Sequence, residues 1–215
     1  MKVLILSDTH GNLPSLECVL LQEKSVDLVI SLGDVVNYGP WSNECVDLLD
    51  TLDNKVLLLG NHEEAFLSGI YPGGNIIAKT FFKECYSKFD RKDKISNYLK
   101  KFSLGNSDFV HTLNENYIFL DTEITINKNT FIGHSHRMFS KMIENYRLIN
   151  VGSVGQNRTN IDEINYAIWD TEKDLVSLIK KEYSADKLIN EMKIKKYPDI
   201  CLEYILSKRN SSYEK

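Results

Sequence analysis

Three short stretches near the N-terminus carry side chains suited to holding metal: Asp8-Thr9-His10, Gly33-Asp34 and Gly60-Asn61-His62-Glu63. Farther along stand His111 and Gly133-His134-Ser135-His136, so all five histidines of the chain fall in such stretches. A lone histidine is more often structural or a surface residue than a ligand. A His-Ser-His after an apolar run, with Asp-Thr-His elsewhere, is a different matter. Imidazole suits Zn, Fe, Ni and Mn, and carboxylate and amide oxygens suit Mn and Fe; Ca and Mg prefer sites made of oxygen alone. A site for two ions needs one bridging carboxylate. Asp34 is placed for that, because it ends the middle one of three motif-bearing strands.

Those strands are short apolar runs at residues 2–7, 27–31 and 55–59, too short for helices. Between them, residues 13–23 and 43–52 place leucines and valines at helical spacing. The β-α-β-α-β order predicts a parallel sheet covered on both faces. Ligands of such sheets bind beyond the carboxyl ends of the strands, which is where Asp8, His10, Asp34, Asn61 and His62 fall. Gly33, Gly60 and Gly133 each precede a polar candidate and let the backbone pass close to an ion or phosphate; an ordinary turn is the plain alternative for any one of them.

The middle changes character. Tyr71-Pro72-Gly73-Gly74 is a turn signal. Residues 75–102 are mostly helical in pattern, and the lysines between Lys79 and Lys101 define a solvated face, with a lid over the site as the alternative. Strand candidates follow at 108–112, 117–120, 130–132, 148–151, 166–169 and 175–179, predicting a second sheet, mixed or antiparallel. After Lys180 the chain predicts one or two helices broken at Pro198, and a polar, frayed end from Lys208. One domain spanning residues 1–215, with a helical tail from about residue 181, is the simplest organisation.

Composition narrows the function. The chain has 215 residues, 42% hydrophobic and 26% charged, with a net charge of −4. An acidic balance without a basic, aromatic-interleaved stretch argues against a nucleic-acid polymer as partner. No apolar run reaches the length of a membrane span, and the N-terminal apolar run is too short for a signal peptide, so a cytoplasmic protein is expected. Cys18, Cys45, Cys85 and Cys201 form no CxxC pair and are expected as free thiols.

The ordered series Asp8-Thr9-His10, Gly33-Asp34, Gly60-Asn61-His62-Glu63, His111 and Gly133-His134-Ser135-His136 resembles the calcineurin-like metallophosphoesterase superfamily. Two further segments, Gly33-Asp34-Val35-Val36-Asn37-Tyr38-Gly39-Pro40 and Asn150-Val151-Gly152-Ser153-Val154-Gly155-Gln156-Asn157-Arg158, are similar to small prokaryotic phosphoesterases related to diadenosine tetraphosphatase. The resemblance covers about residues 1–170. It departs at Thr112, where relatives usually have glycine, and at Val151, where many have proline. Both bear on the substrate side.

The resemblance implies an α/β fold, a four-layer α-β-β-α sandwich of two mixed sheets. It implies two divalent transition-metal ions, Mn foremost, with Fe, Zn or Ni as alternatives. The first would take Asp8, His10, Asp34 and His136, and the second Asp34, Asn61, His111 and His134. His62 is left facing substrate, to protonate the leaving oxygen or only to hydrogen-bond a phosphoryl oxygen. Asn12, Tyr38 and Arg158 are expected substrate contacts; turn, packing and surface roles are their plain alternatives. The activity so implied is hydrolysis of a phosphodiester or small nucleotide-like phosphoester by metal-activated hydroxide. A protein phosphatase, a nuclease and a non-catalytic scaffold are the competing readings. The oligomeric state stays open.

Overall fold

Strand β1 (Lys2–Leu6) lies at the centre of the first sheet because both of its faces are apolar. Leu4 and Leu6 face a core shared with the helices, while Val3 and Ile5 face a second sheet. The structure, a computed structural model, describes residues 1–209. The expected frayed end falls mostly on residues 210–215, outside the described residues.

The first sheet adds β2 (Leu28–Ser31), β3 (Lys55–Leu57), β9 (Glu163–Asp170) and β10 (Leu175–Glu182), in the order β10-β9-β1-β2-β3. β1, β2 and β3 are mutually parallel, and β9 and β10 are antiparallel additions. The second sheet has the order β4-β5-β6-β8-β7: β4 (Lys101–Leu104), β5 (Ser107–Val110), β6 (Asn129–Ile132), β7 (Phe139–Ile143) and β8 (Tyr146–Asn150). Its three central strands run parallel and its two edges antiparallel. The fold is the two-mixed-sheet α/β sandwich that the resemblance implies.

Between the sheets, Phe109 and Phe131 stack with ring centroids 4.8 Å apart, and Trp169 of the first sheet packs on both. Truncating a buried phenylalanine such as Phe131 to alanine costs about 3–5 kcal/mol. On the far side of the first sheet lie α1 (Leu13–Gln22), α2 (Ser42–Asp50), α3 (Asn61–Ser68), α4 (Ile76–Tyr86), α5 (Lys92–Ile95), α6 (Asp186–Ile194) and α7 (Asp199–Leu206). The outer face of the second sheet is covered by the segment around Leu113, Ile118, Ile124 and Ile126, which closes over Ile132 and Leu148.

Three local expectations are corrected. Residues 117–120 form no ladder; Ile118 is buried as a plug, while Tyr117, Phe119 and Leu120 stay exposed. The helical reading of residues 75–102 breaks into α4, α5 and strand β4, whose alternation of exposed Lys101 and Ser103 with half-buried Phe102 and Leu104 is a period of two. Strand β7 alternates likewise at the other edge of that sheet and was not expected. Lys79 and Lys83 of α4 are exposed, while its Phe81, Phe82 and Cys85 face the core. No helix among the described residues is long and apolar enough to cross a membrane.

Candidate active site

The strand ends converge as expected, and backbone hydrogen bonds lock them. Asp8 N donates to Gly33 O at 3.0 Å, His10 N to Asp34 O at 2.9 Å, and Gly133 N to His111 O at 3.0 Å. His134 N donates to Asp8 Oδ2 at 3.0 Å, tying the second sheet's loop to the first. The turns are tight: Asp8, His10, Asp34, His134 and His136 all have φ between 49° and 65°. Side chains rarely adopt that left-handed conformation, and it concentrates at functional sites. A Cβ on Gly60 would collide with Asp34 Oδ1, and one on Gly133 would lie 2.6 Å from Asp8 Oδ2.

Asp8, His10 and His136 form one cluster. His10 Nδ1 donates to Val36 O at 3.1 Å and His136 Nδ1 donates to Gln156 O at 2.5 Å. With those protons committed, both Nε2 atoms present lone pairs in the neutral rings, and they face each other at 3.2 Å. Asp8 Oδ1 is 3.1 Å from His136 Nε2 and 3.7 Å from His10 Nε2, and has no hydrogen-bond partner among the described residues. Burial holds the His10 imidazolium well below the ordinary histidine range. Convergent buried acceptors without a donor fit a cation.

Asp34, Asn61, His111 and His134 form the other cluster. His111 Nδ1 donates to Leu32 O at 3.1 Å. Its Nε2 lies 3.2 Å from Asp34 Oδ2, from Asn61 Oδ1 and from His134 Nδ1. Burial disfavours an imidazolium at His111, but the Asp34 carboxylate outweighs it and raises the pKa to about 9. Burial, followed by His111, lowers that of His134 to about 4. The His111 proton thus stands where a cation would serve the same oxygens. Asp34 Oδ2 is shared between the clusters, 3.8 Å from His10 Nε2 on the other side.

His62 stands beside them, its Nε2 4.0 Å from Asp34 Oδ2, close enough to His10 and Asp34 to form a third ligand-sized group. Its Nδ1 is 2.9 Å from Asn37 Nδ2; the amide donates, so the proton of the neutral ring sits on Nε2. Tyr38 is buried with its ring 4.8 Å from that of His10 and 5.4 Å from that of His62. A cleft of about 680 Å³ opens over Asn61, His111 and His134, with Tyr71 and Tyr117 on its walls.

Two expected substrate contacts have different environments. Arg158 is half-buried, its guanidinium carbon 5.5 Å from the Tyr117 ring, which itself stacks on His134 at 4.2 Å. Asn12 is buried and held by its neighbours: its amide donates one N–H to Gly155 O, and its oxygen caps α1 at Ser15 N and accepts from Tyr183 Oη.

Sequence reasoning missed Glu63, which is fully buried and accepts hydrogen bonds from the backbone N–H groups of Asp34, Val35, Val36 and Gly60. It holds two motif loops together and half-completes a capping box at α3. Burial and Asp34 push its pKa up to about 7, against the pull of the backbone donors. The glutamate three residues after Gly60 was the available signal. Asn37 was also missed; its left-handed backbone at φ 74° was not legible.

Residues 1–199 match the family model described as calcineurin-like phosphoesterase. An uncharacterized protein of Methanocaldococcus jannaschii is 26% identical, over 92% of this chain and 94% of that protein. Among solved structures, a metallophosphoesterase from Sphaerobacter thermophilus superposes with a TM-score of 0.78 at 24% identity, covering 97% of this chain and 99% of the other. A hypothetical protein from Pyrococcus horikoshii OT3 has the same TM-score at 17% identity, covering 95% and 97%. These two likenesses are of fold.

Proposed function

The chain belongs to the calcineurin-like phosphoesterase family and is a phosphoric ester hydrolase, and on that premise we propose that it is a two-ion enzyme acting on phosphodiesters or small nucleotide-like phosphoesters. The observation that carries the reading is the position of Asp34 Oδ2 between two clusters of acceptors, 3.8 Å from His10 Nε2 and 3.2 Å from His111 Nε2. Asp8, His10, Asp34 and His136 would hold one ion, and Asp34, Asn61, His111 and His134 the other. Divalent transition metals, Mn foremost, would supply positive charge for the phosphoryl oxygens and acidify water enough to give hydroxide near neutral pH.

The chain's own groups do the rest. His62 Nε2–H donates to an oxygen of the substrate. Transferring that proton to the leaving oxygen requires a second proton on Nδ1. Turning the Asn37 amide end for end would bring its oxygen, now buried without a partner among the described residues, to accept that proton's hydrogen bond. Tyr38 packs against His10 and His62 and keeps water from that side, and Arg158 supplies a cation at the mouth. The cleft suits a small substrate. Residues 1–215 act as one domain in this reading, and free cysteines suit a reducing cytoplasm.

The test is cleavage of bis-p-nitrophenyl phosphate beside p-nitrophenyl phosphate after metal stripping and re-addition of Mn, Ni, Zn or Mg. Metal-restored cleavage of the diester above the monoester supports the reading. Preference for the monoester replaces it with a phosphatase.

A further inference from the structure

The helical tail reaches the site. Tyr204 of α7 lies 6.2 Å from Tyr38, ring to ring, and its hydroxyl accepts a hydrogen bond from Gln156 Nε2 at 3.2 Å. Gln156 is the residue whose carbonyl orients His136. Two residues beyond α7, Lys208 lays its ammonium over the Tyr204 ring, 3.7 Å from the centroid. The backbone there is tied down, since Ile161 N donates to Lys208 O at 2.9 Å. On the other side, Arg158 rests on Tyr117, which stacks on His134.

These two cations are anomalous. Lys208 Nζ and Arg158 Nε are both buried from solvent and have no hydrogen-bond partner among the described residues. Their neighbour Arg209 instead pairs with Asp162 and Asp186, so nearby acids are already engaged. Burial lowers the Lys208 pKa to about 7, and repulsion from Arg158 and Arg137 acts in the same direction. A ring face attracts an ammonium but satisfies none of its N–H donors. Buried donors held in place without acceptors call for a ligand that accepts, and one that is anionic.

We propose that Lys208 and Arg158 form an anion subsite that takes a second phosphate of the substrate, beside the one that is hydrolysed. The substrate is then a small phosphoester that carries a second phosphate group beside the one that is hydrolysed. This rests on the two-ion reading of the neighbouring clusters, which supplies the place of the first phosphate.

The probes are methylenediphosphonate and methylphosphonate, which cannot be hydrolysed, titrated calorimetrically into the manganese-loaded protein. The wild type is expected to prefer the diphosphonate. Lys208→Met and Arg158→Gln are each expected to cut that preference by about tenfold, and Lys208→Arg, which keeps the positive charge but not the shape, to retain more of it than Lys208→Met. A preference that survives both Lys208→Met and Arg158→Gln overturns the subsite, whether or not the loaded enzyme cleaves bis-p-nitrophenyl phosphate. A preference lost in those variants, with a wild type inert towards every ester, upholds the subsite and overturns the hydrolytic reading of the clusters instead.

Discussion

His10 Nε2 and His136 Nε2 face each other at 3.2 Å while each ring's Nδ1 donates to a backbone carbonyl. Neutral rings so held cannot hydrogen-bond to one another, and Asp8 Oδ1 adds a third acceptor at the same point. A cation would resolve the repulsion, and the carbonyls of Val36 and Gln156 fix the tautomers that could receive it. His136→Ala is therefore expected to lower the bound metal from two ions to one per chain, as read by atomic emission after dialysis. Retention of both ions would show that His136 holds neither.

His62 and Asp34 are expected to separate by the same measurement. Asp34→Ala removes the oxygen shared by the clusters and should lose both ions. His62→Ala should keep them and lose about 10²–10⁴-fold in kcat. Because His62 also lies within ligand distance of His10 and Asp34, metal loss in His62→Ala would reassign it as a ligand.

Gly60 gives a steric test. A Cβ there meets Asp34 Oδ1, and Asp34 N at 2.5 Å, whereas one on Gly74 meets nothing within 4 Å. Gly60→Ala should weaken metal binding by about tenfold or more, by displacing the shared carboxylate, with Gly74→Ala as its control. Equal metal affinity in the two variants would mean that Asp34 does not need its observed position.

The pH dependence of the metal-stripped protein follows from its histidines. Burial is the leading cause that lowers the pKa of His10, His62 and His134 from the ordinary 6.5. Below about pH 6.5 the unfolded chain therefore takes up protons that the folded chain refuses, and stability falls as pH falls towards the folded values, about 4 for His134. His134 alone accounts for at most ~3 kcal/mol. His111 and Glu63 act oppositely: the His111 contribution is complete below 6.5 and is lost as pH rises through about 9, and Glu63, pushed up to about 7, costs stability as pH rises from 4.5 through about 7, so the three depressed histidines outnumber one opposing carboxyl below pH 7. The melting temperature should drop between about pH 7 and about pH 5; a flat or rising profile contradicts the neutral state assigned to these rings.

The convergence of Asp8, His10, Asp34, Asn61, His134 and His136 was legible because each lies in a contiguous motif at the end of an apolar run, so local pattern and final position coincide; His111 stands alone in the sequence and joins them only through β5. The edge strands were harder. Lys101 and Ser103 carry the outward face of β4, and with lysines nearby the run read as more helix. Residues 117–120 have strand composition but end as a plug, a choice made by Ile118 finding the second sheet's outer face. Asn12 shares a loop with His10, yet its side chain donates to Gly155 O and accepts from Tyr183 Oη, both far away in sequence. Tyr204 and Lys208 belong to a tail without motifs, and only the packing of α7 brings them to Gln156 and the site.

The most direct test is to titrate manganese into the stripped protein while following cleavage of bis-p-nitrophenyl phosphate and counting bound ions. Turnover is expected to be absent without metal and to rise until it saturates at two ions per chain, and no such rise is expected in Asp34→Ala. Turnover that survives stripping, or two bound ions with no cleavage of diester or monoester, would contradict the two-ion reading.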